Sequence, residues 1–137
     1  MAHSEHDQGV VYCAPPDPAL RAPAAPLGAL ACDTHAHICG PISKYAYSEN
    51  RIYTPPDALP ADYLKLLKIL GAERAVLIQP SVYGTDNTVM LGAMKEITAA
   101  GVACRGVAVC DDSITETGLD DMHSAGVRGV RFNLVDI

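Results

Sequence analysis

Asp33, His35 and His37 stand two residues apart in the stretch ACDTHAHICGP (31–41), where an apolar run ends and a Gly-Pro break begins. On a strand, positions i, i+2 and i+4 share a face, so these three side chains are expected to point the same way. Near the carboxyl end of a strand, that way is into a site. Two imidazoles so placed can bind a divalent metal, transfer a proton, or hold a developing oxyanion. The competing reading is turn chemistry, with polar side chains bonded to backbone where strand becomes loop. An isolated His-x-His does not separate the two.

Arg131 is the second chemical landmark. In VRGVRFNLVDI (127–137), Val130, Phe132 and Leu134 fall on one face and suit packing under helices, while Gly129, Arg131 and Asn133 fall on the other. A guanidinium on the inner face of a sheet is costly unless paired, and its fork of donors suits a bidentate carboxylate. A structural pair with Asp111 is the alternative. Ser81, just past the strand end in IQPSVYGTDN (78–87), offers a hydroxyl where a donor could meet a carboxylate. The stretch 38–60 holds Tyr45, Tyr47, Arg51 and Tyr53, an aromatic and basic set suited to closing over an anion.

Alternating elements must position these groups. LGALACDTHAHI (27–38) reads as a first strand that turns polar at its end. ADYLKLLKILG (61–71) has Tyr63, Leu66, Leu67 and Leu70 at helical spacing between Pro60 and Gly71. RAVLIQPS (74–81) is an apolar run of the kind covered on both faces of a sheet. NTVMLGAMKEITAAG (87–101) sets Met90, Met94 and Ile97 on one stripe, with Asp86 or Asn87 as cap. CRGVAVCD (104–111) is a third strand. SITETGLDDMHSAG (113–126) opens on Ser113 and Glu116, an S-x-x-E capping box, and is followed by the fourth strand from Val127. RAV at 74, RGV at 105 and RGV at 128 open three strands alike. Arg74, Arg105 and Arg128 lie at the strand starts and read as surface charges, as does His123 on the third helix.

The order β-α-β-α-β-α-β with short returns predicts an α/β fold with a parallel sheet and right-handed crossovers. The long connection after the first strand lies at the carboxyl ends, where ligands bind in such folds. Residues 1–28 form a Pro/Ala-rich tail, read either as a loosely ordered segment or as a strap across the domain at 29–137.

Composition narrows the function. Hydrophobic residues make up 49% of the 137 and charged residues 19%, enough apolar mass for one domain. A net charge of −6 argues against nucleic acid or an acidic membrane as partner, but not against a small anionic substrate held by local arginines. The five cysteines show no CxxC spacing, which favours reduced thiols and a cytoplasmic setting over a disulfide framework or zinc ribbon. No run approaches the roughly 18 apolar residues of a membrane span. The first residues lack the pattern of a secretory signal.

Together, CDTHAHICGP, RIYTPPDALPADYLKLLKILGAERAVLIQPSVYGTDN, RGVAVCD and GVRGVRFN resemble the amidohydrolase superfamily, in the branch around 2-pyrone-4,6-dicarboxylate lactonase and related sugar lactonases. The likeness covers roughly residues 28–137. It implies a (β/α)8 TIM barrel that hydrolyses a lactone or related carbonyl compound, often one bearing carboxylates. By motif, His35 and His37 match the first-strand histidine pair near the reacting carbonyl. Tyr53, Ser81 and Arg131 match positions that hold substrate carboxylates. The family implies a divalent metal such as zinc on the histidine pair in many members and none in the dicarboxylate lactonase branch, so both possibilities stand. A full barrel takes about 250 residues. Only about four strands and three helices are expected here, the first half of a barrel. The family's later histidines and strand-end Asp, which would activate water, have no counterpart. The chain is therefore expected to be inactive alone, or to be a non-catalytic fragment that associates through an exposed strand edge at LVDI.

Overall fold

The computed structural model describes residues 11–134. Six strands and three α-helices follow in the order β1 (Val11–Tyr12), β2 (Cys32–Ala36), β3 (Tyr53–Thr54), α1 (Pro60–Leu70), β4 (Arg74–Ile78), α2 (Thr88–Ala99), β5 (Ala103–Ala108), α3 (Glu116–Ser124) and β6 (Val127–Val130), with a 3-10 turn at Ser81–Tyr83. The main sheet is parallel throughout, ordered β2-β4-β5-β6, so each βα unit adds one strand beside the last. This is the repeating arrangement expected of the first half of a (β/α)8 barrel.

The helices form where the sequence predicts. Pro60 opens α1, where a missing N–H does no harm, and Gly71 closes it at φ 77°, donating its N–H to the Leu67 carbonyl. Tyr63 and Leu67, one turn apart, are the residues that α1 buries. The predicted stripe Met90, Met94 and Ile97 is buried on α2, over Leu77 and Ala108 of the sheet. Gly106 leaves room for this contact, since a Cβ there would meet Met94 Sδ at 2.5 Å and the methionine would have to shift.

Four local expectations are corrected. First, α3 is capped by Thr115, whose Oγ1 accepts the Gly118 N–H at 3.0 Å, not by a Ser113–Glu116 box. Ser113 is drawn away because the Asp111 carboxylate accepts both its N–H (2.9 Å) and its hydroxyl (2.6 Å). Second, β2 is not an evenly paired strand: a bulge sets Asp33 opposite Ala75 but Ala36 opposite Leu77, while Asp33, His35 and His37 keep to one side. Third, Val130, Phe132 and Leu134 do not pack under helices. They are 42%, 75% and 75% exposed. Residues 135–137 of LVDI lie outside the described set.

The fourth concerns the connection 38–60, which is a braced loop. Cys39 and Ala58 exchange backbone hydrogen bonds at 3.0 and 2.8 Å. The Gly40 N–H donates to the Tyr83 hydroxyl at 2.7 Å, and the Gly40 backbone, at φ 92°, lies so close to Asp57 that a Cβ would collide with its carboxylate. Arg51 turns into the loop, donating to Thr54 Oγ1 and the Ser48 carbonyl, and the Tyr47 hydroxyl donates to the Pro55 carbonyl. Tyr47 and Arg51 are thus spent on bracing.

The Pro/Ala-rich segment lies partly across the domain. Val11 and Tyr12 pair in parallel with Tyr53 and Thr54, and the Cys13 N–H donates to the Thr54 carbonyl at 3.0 Å. Of the segment read as a tail, residues 1–10 lie outside the described set.

Candidate active site

The carboxyl end of β4 is the anchor. Its last two carbonyls, Ile78 and the following Gln79, each accept from a predicted site residue. His37 Nδ1 lies 2.7 Å from the Ile78 oxygen, and Arg131 Nη1 donates to the Gln79 oxygen at 3.2 Å. A carbonyl can only accept, so Nδ1 carries the proton and Nε2 keeps its lone pair. Adjacent carbonyls on a strand face opposite neighbours. His37 and Arg131 therefore flank the end of β4, one from the side of β2 and one from beyond β5.

Electrostatics favour a neutral His37. Burial of part of the ring is the largest cause lowering its pKa below 6.5. The Ile78 hydrogen bond opposes this, and the nearby His35 and Arg131 reinforce it. The His35 and His37 rings meet edge to face, with centroids 5.1 Å apart.

Asp33 is turned to a different task. One carboxylate oxygen accepts the His35 backbone N–H at 3.1 Å and the other accepts the Tyr63 hydroxyl at 2.9 Å. It ties β2 to α1, and burial together with the Asp33 carboxylate pushes the Tyr63 phenol far above its ordinary pKa.

Two cavities meet at His37. The larger, about 690 Å³, is lined by His35, His37, Asp33, Tyr63 and the strap at Pro16–Leu20. The smaller, about 350 Å³, is lined by His37, Tyr53, Cys39, Pro80 and the strap at Cys13–Pro16. Both fall in the usual range for small-molecule pockets, about 300–1,000 Å³. Tyr53 and His37 are thus brought to one cavity, and His35 and His37 to the other. Ser81, partly buried, follows Pro80 at the start of the 3-10 turn and is not among the residues lining either cavity. Arg131 likewise lines neither cavity and meets the end of β4 through the Gln79 carbonyl. It does not pair with Asp111, whose carboxylate holds Ser113.

The two imidazoles fall short of a zinc ligand set, since such sites take at least three protein ligands. Among the described residues no group of three or more His, Cys, Asp or Glu is placed to hold a metal ion. The residues present therefore do not by themselves fit a bound metal.

Sequence reasoning missed two positioning residues. Asn87 is 4% exposed and bridges two loops: Nδ2 donates to the Thr85 and Val109 carbonyls (2.9 and 2.8 Å), while Oδ1 accepts the Val109 N–H at 3.0 Å. Gln79 is fully buried, and its Nε2 donates to the Asp86 carbonyl at 2.7 Å. A cap reading of Asn87 had its location right and its partners wrong. The Asp86 carboxylate accepts the Thr88 N–H instead, at 3.0 Å.

No helix among the described residues is long and apolar enough to cross a membrane. The family model for amidohydrolases matches residues 32–136. A 2-pyrone-4,6-dicarbaxylate hydrolase from Comamonas testosteroni is 40% identical over 124 residues, covering 90% of this chain and 38% of that protein. A 4-sulfomuconolactone hydrolase from Rhizobium radiobacter is 40% identical over 122 residues, covering 86% of this chain and 40% of that protein. Among solved structures, a probable 2-pyrone-4,6-dicarboxylic acid hydrolase from Acinetobacter baumannii with citric acid bound superposes with a TM-score of 0.69 at 30% identity, over 77% of this chain and 38% of that one. The chain thus spans about 40% of the length of these relatives. With its parallel βα repeats and the match over 32–136, the chain belongs to the amidohydrolase family.

Proposed function

We propose that this chain forms the amino-terminal corner of a site that hydrolyses a small lactone bearing carboxylates. The observation that carries the reading is the placement of His37 and Arg131 on the successive carbonyls of Ile78 and Gln79. This sets an uncharged imidazole with a free Nε2 beside a guanidinium that spends one of its five N–H donors on Gln79. In the proposed reaction, water attacks the ring carbonyl near His35 and His37, while Tyr53 on the cavity wall and Arg131 at the end of β4 orient the substrate carboxylates, and Ser81, outside both cavities, takes no part. The relatives named above, hydrolases of a pyrone dicarboxylate and a sulfomuconolactone, support an anionic lactone as the substrate class. We place the protein in the cytoplasm on the free state of its five cysteines.

Calorimetric titration with a lactone dicarboxylate and with its uncharged diester tests the reading. The dicarboxylate binds and the diester does not, and Arg131→Gln abolishes the heat while leaving the circular dichroism unchanged. Equal binding of both compounds, or full binding by Arg131→Gln, overturns it.

A second reading, non-catalytic self-association, draws on Phe132 and Leu134, each 75% exposed beside the edge strand β6. Sedimentation separates it: Phe132→Glu dissociates such an assembly, and a monomeric wild-type chain excludes it.

A further inference from the structure

Cys13 and Cys39 come from segments far apart in the chain and line the same small cavity. Cys13 is exposed at the end of β1, held by its N–H to the Thr54 carbonyl at 3.0 Å. Cys39 is 4% exposed and fixed by its double hydrogen bond to Ala58. One thiol therefore rides on the strap and the other on the rigid loop beneath it. We propose that these two cysteines are a redox modification site, a thiol pair that reacts with small disulfides of the glutathione class and, once joined, pins the strap over the cavities at His37.

The attachment of the strap makes the step consequential. At this end a two-residue ladder joins it to β3, and the Val11 side chain is 65% exposed. The same strap walls both cavities, through Cys13–Pro16 on one side and Pro16–Leu20 on the other. A covalent link at Cys13 would fix that wall. The other three cysteines are placed differently: Cys32 on β2 donates to the Asp33 carbonyl, Cys104 is buried in the core and Cys110 lies against Met122.

The chemistry is ordinary thiol–disulfide exchange. The Cys13 thiolate attacks one sulfur of glutathione disulfide, forming a Cys13–glutathione mixed disulfide and releasing one glutathione thiolate. The Cys39 thiolate then attacks the Cys13 sulfur, breaking the mixed disulfide and releasing the second glutathione. Two protein thiols are oxidised, one glutathione disulfide is reduced, and both protons pass to the departing glutathione thiolates. Cys39 is 4% exposed and Cys13 is exposed, so the second exchange, at the covered thiol, is the slower one.

The test uses the whole 137-residue chain equilibrated with glutathione disulfide, then digested and mapped by mass spectrometry without reductant. The expected product is one peptide pair joined through Cys13 and Cys39, which glutathione reverses. Cys39→Ser is expected to stop at the Cys13 mixed disulfide, and Cys13→Ser, at an exposed position, to lose the linked pair entirely. Carbethoxylation of His37 by diethyl pyrocarbonate, read on the same digests, falls severalfold in the linked form. Linkage of Cys13 to another cysteine, an unmodified Cys13, or unchanged His37 reactivity after linkage overturns the proposal. None of these readouts requires lactone turnover, so they stand or fall apart from the proposed hydrolysis.

Discussion

Asn87 joins the turn after β4 to the end of β5, and its three hydrogen bonds allow its contribution to be worked out. Its Nδ2 serves two carbonyls at 2.9 and 2.8 Å, and its Oδ1 accepts the Val109 N–H at 3.0 Å, with the Asn87 side of each bond buried. At about 0.5–1.5 kcal/mol each, with an added penalty for backbone groups left unpaired, Asn87→Ala should destabilise the fold by about 2–4 kcal/mol. Asn87→Asp sharpens the test. It keeps an acceptor for Val109 N–H but sets an oxygen against the Thr85 and Val109 carbonyls, which repel it. Burial and repulsion raise the folded-state pKa of the introduced carboxyl above its unfolded value. The protonated acid can donate as the amide did, so stability is present at low pH and is lost as pH rises through the folded pKa. Urea unfolding followed by far-ultraviolet circular dichroism measures both variants. Asn87→Asp should be less stable than Asn87→Ala at about pH 8, and the gap should close or reverse by about pH 5. A loss below about 0.5 kcal/mol for Asn87→Ala, or two variants with the same pH dependence, refutes this view of the clamp.

His37 should titrate below 6.5 by proton NMR, because burial, His35 and Arg131 all favour its neutral form, and Arg131→Gln should raise the midpoint. Since the folded state binds this proton more weakly than the unfolded chain, the residue's linkage leaves stability intact above 6.5 and reduces it as pH falls through that value; a midpoint at or above 6.5 contradicts this. Tyr63→Phe removes one of two hydrogen bonds to Asp33 and should lower stability by about 1–2 kcal/mol in thermal or urea unfolding, with no change signalling that the contact is idle. Gly106→Ala places a methyl against Met94 and should cost about 1–3 kcal/mol, and a double-mutant cycle with Met94→Ala should show coupling between the two positions; strict additivity would rule the clash out.

The repeating βα order was legible because each strand and helix carries its own period and its own stop. Gly71 and the Met90–Met94–Ile97 stripe are local signals that packing did not override. The position of His35 and His37 at the carboxyl end of a strand was legible. Their division of labour was not. The bulge between Asp33 and Ala36 interrupts the pairing with β4 while Asp33, His35 and His37 still line one cavity, and Asp33 turns to a tyrosine thirty residues away. Asn87 was hidden for a similar reason: its partner Val109 lies on another strand, so a local cap was the visible reading. The exposure of Phe132 and Leu134 was unreadable because alternation marks a face without saying what covers it.

The most direct measurement follows the His37 imidazole by NMR while a lactone dicarboxylate is added. A saturable shift of its Cε1 proton, with the midpoint of its titration moving upward as the bound carboxylates offset Arg131, is the expected result, and Arg131→Gln should remove the response. A His37 signal that ignores saturating dicarboxylate, in a chain whose circular dichroism shows it folded, would contradict the proposed site.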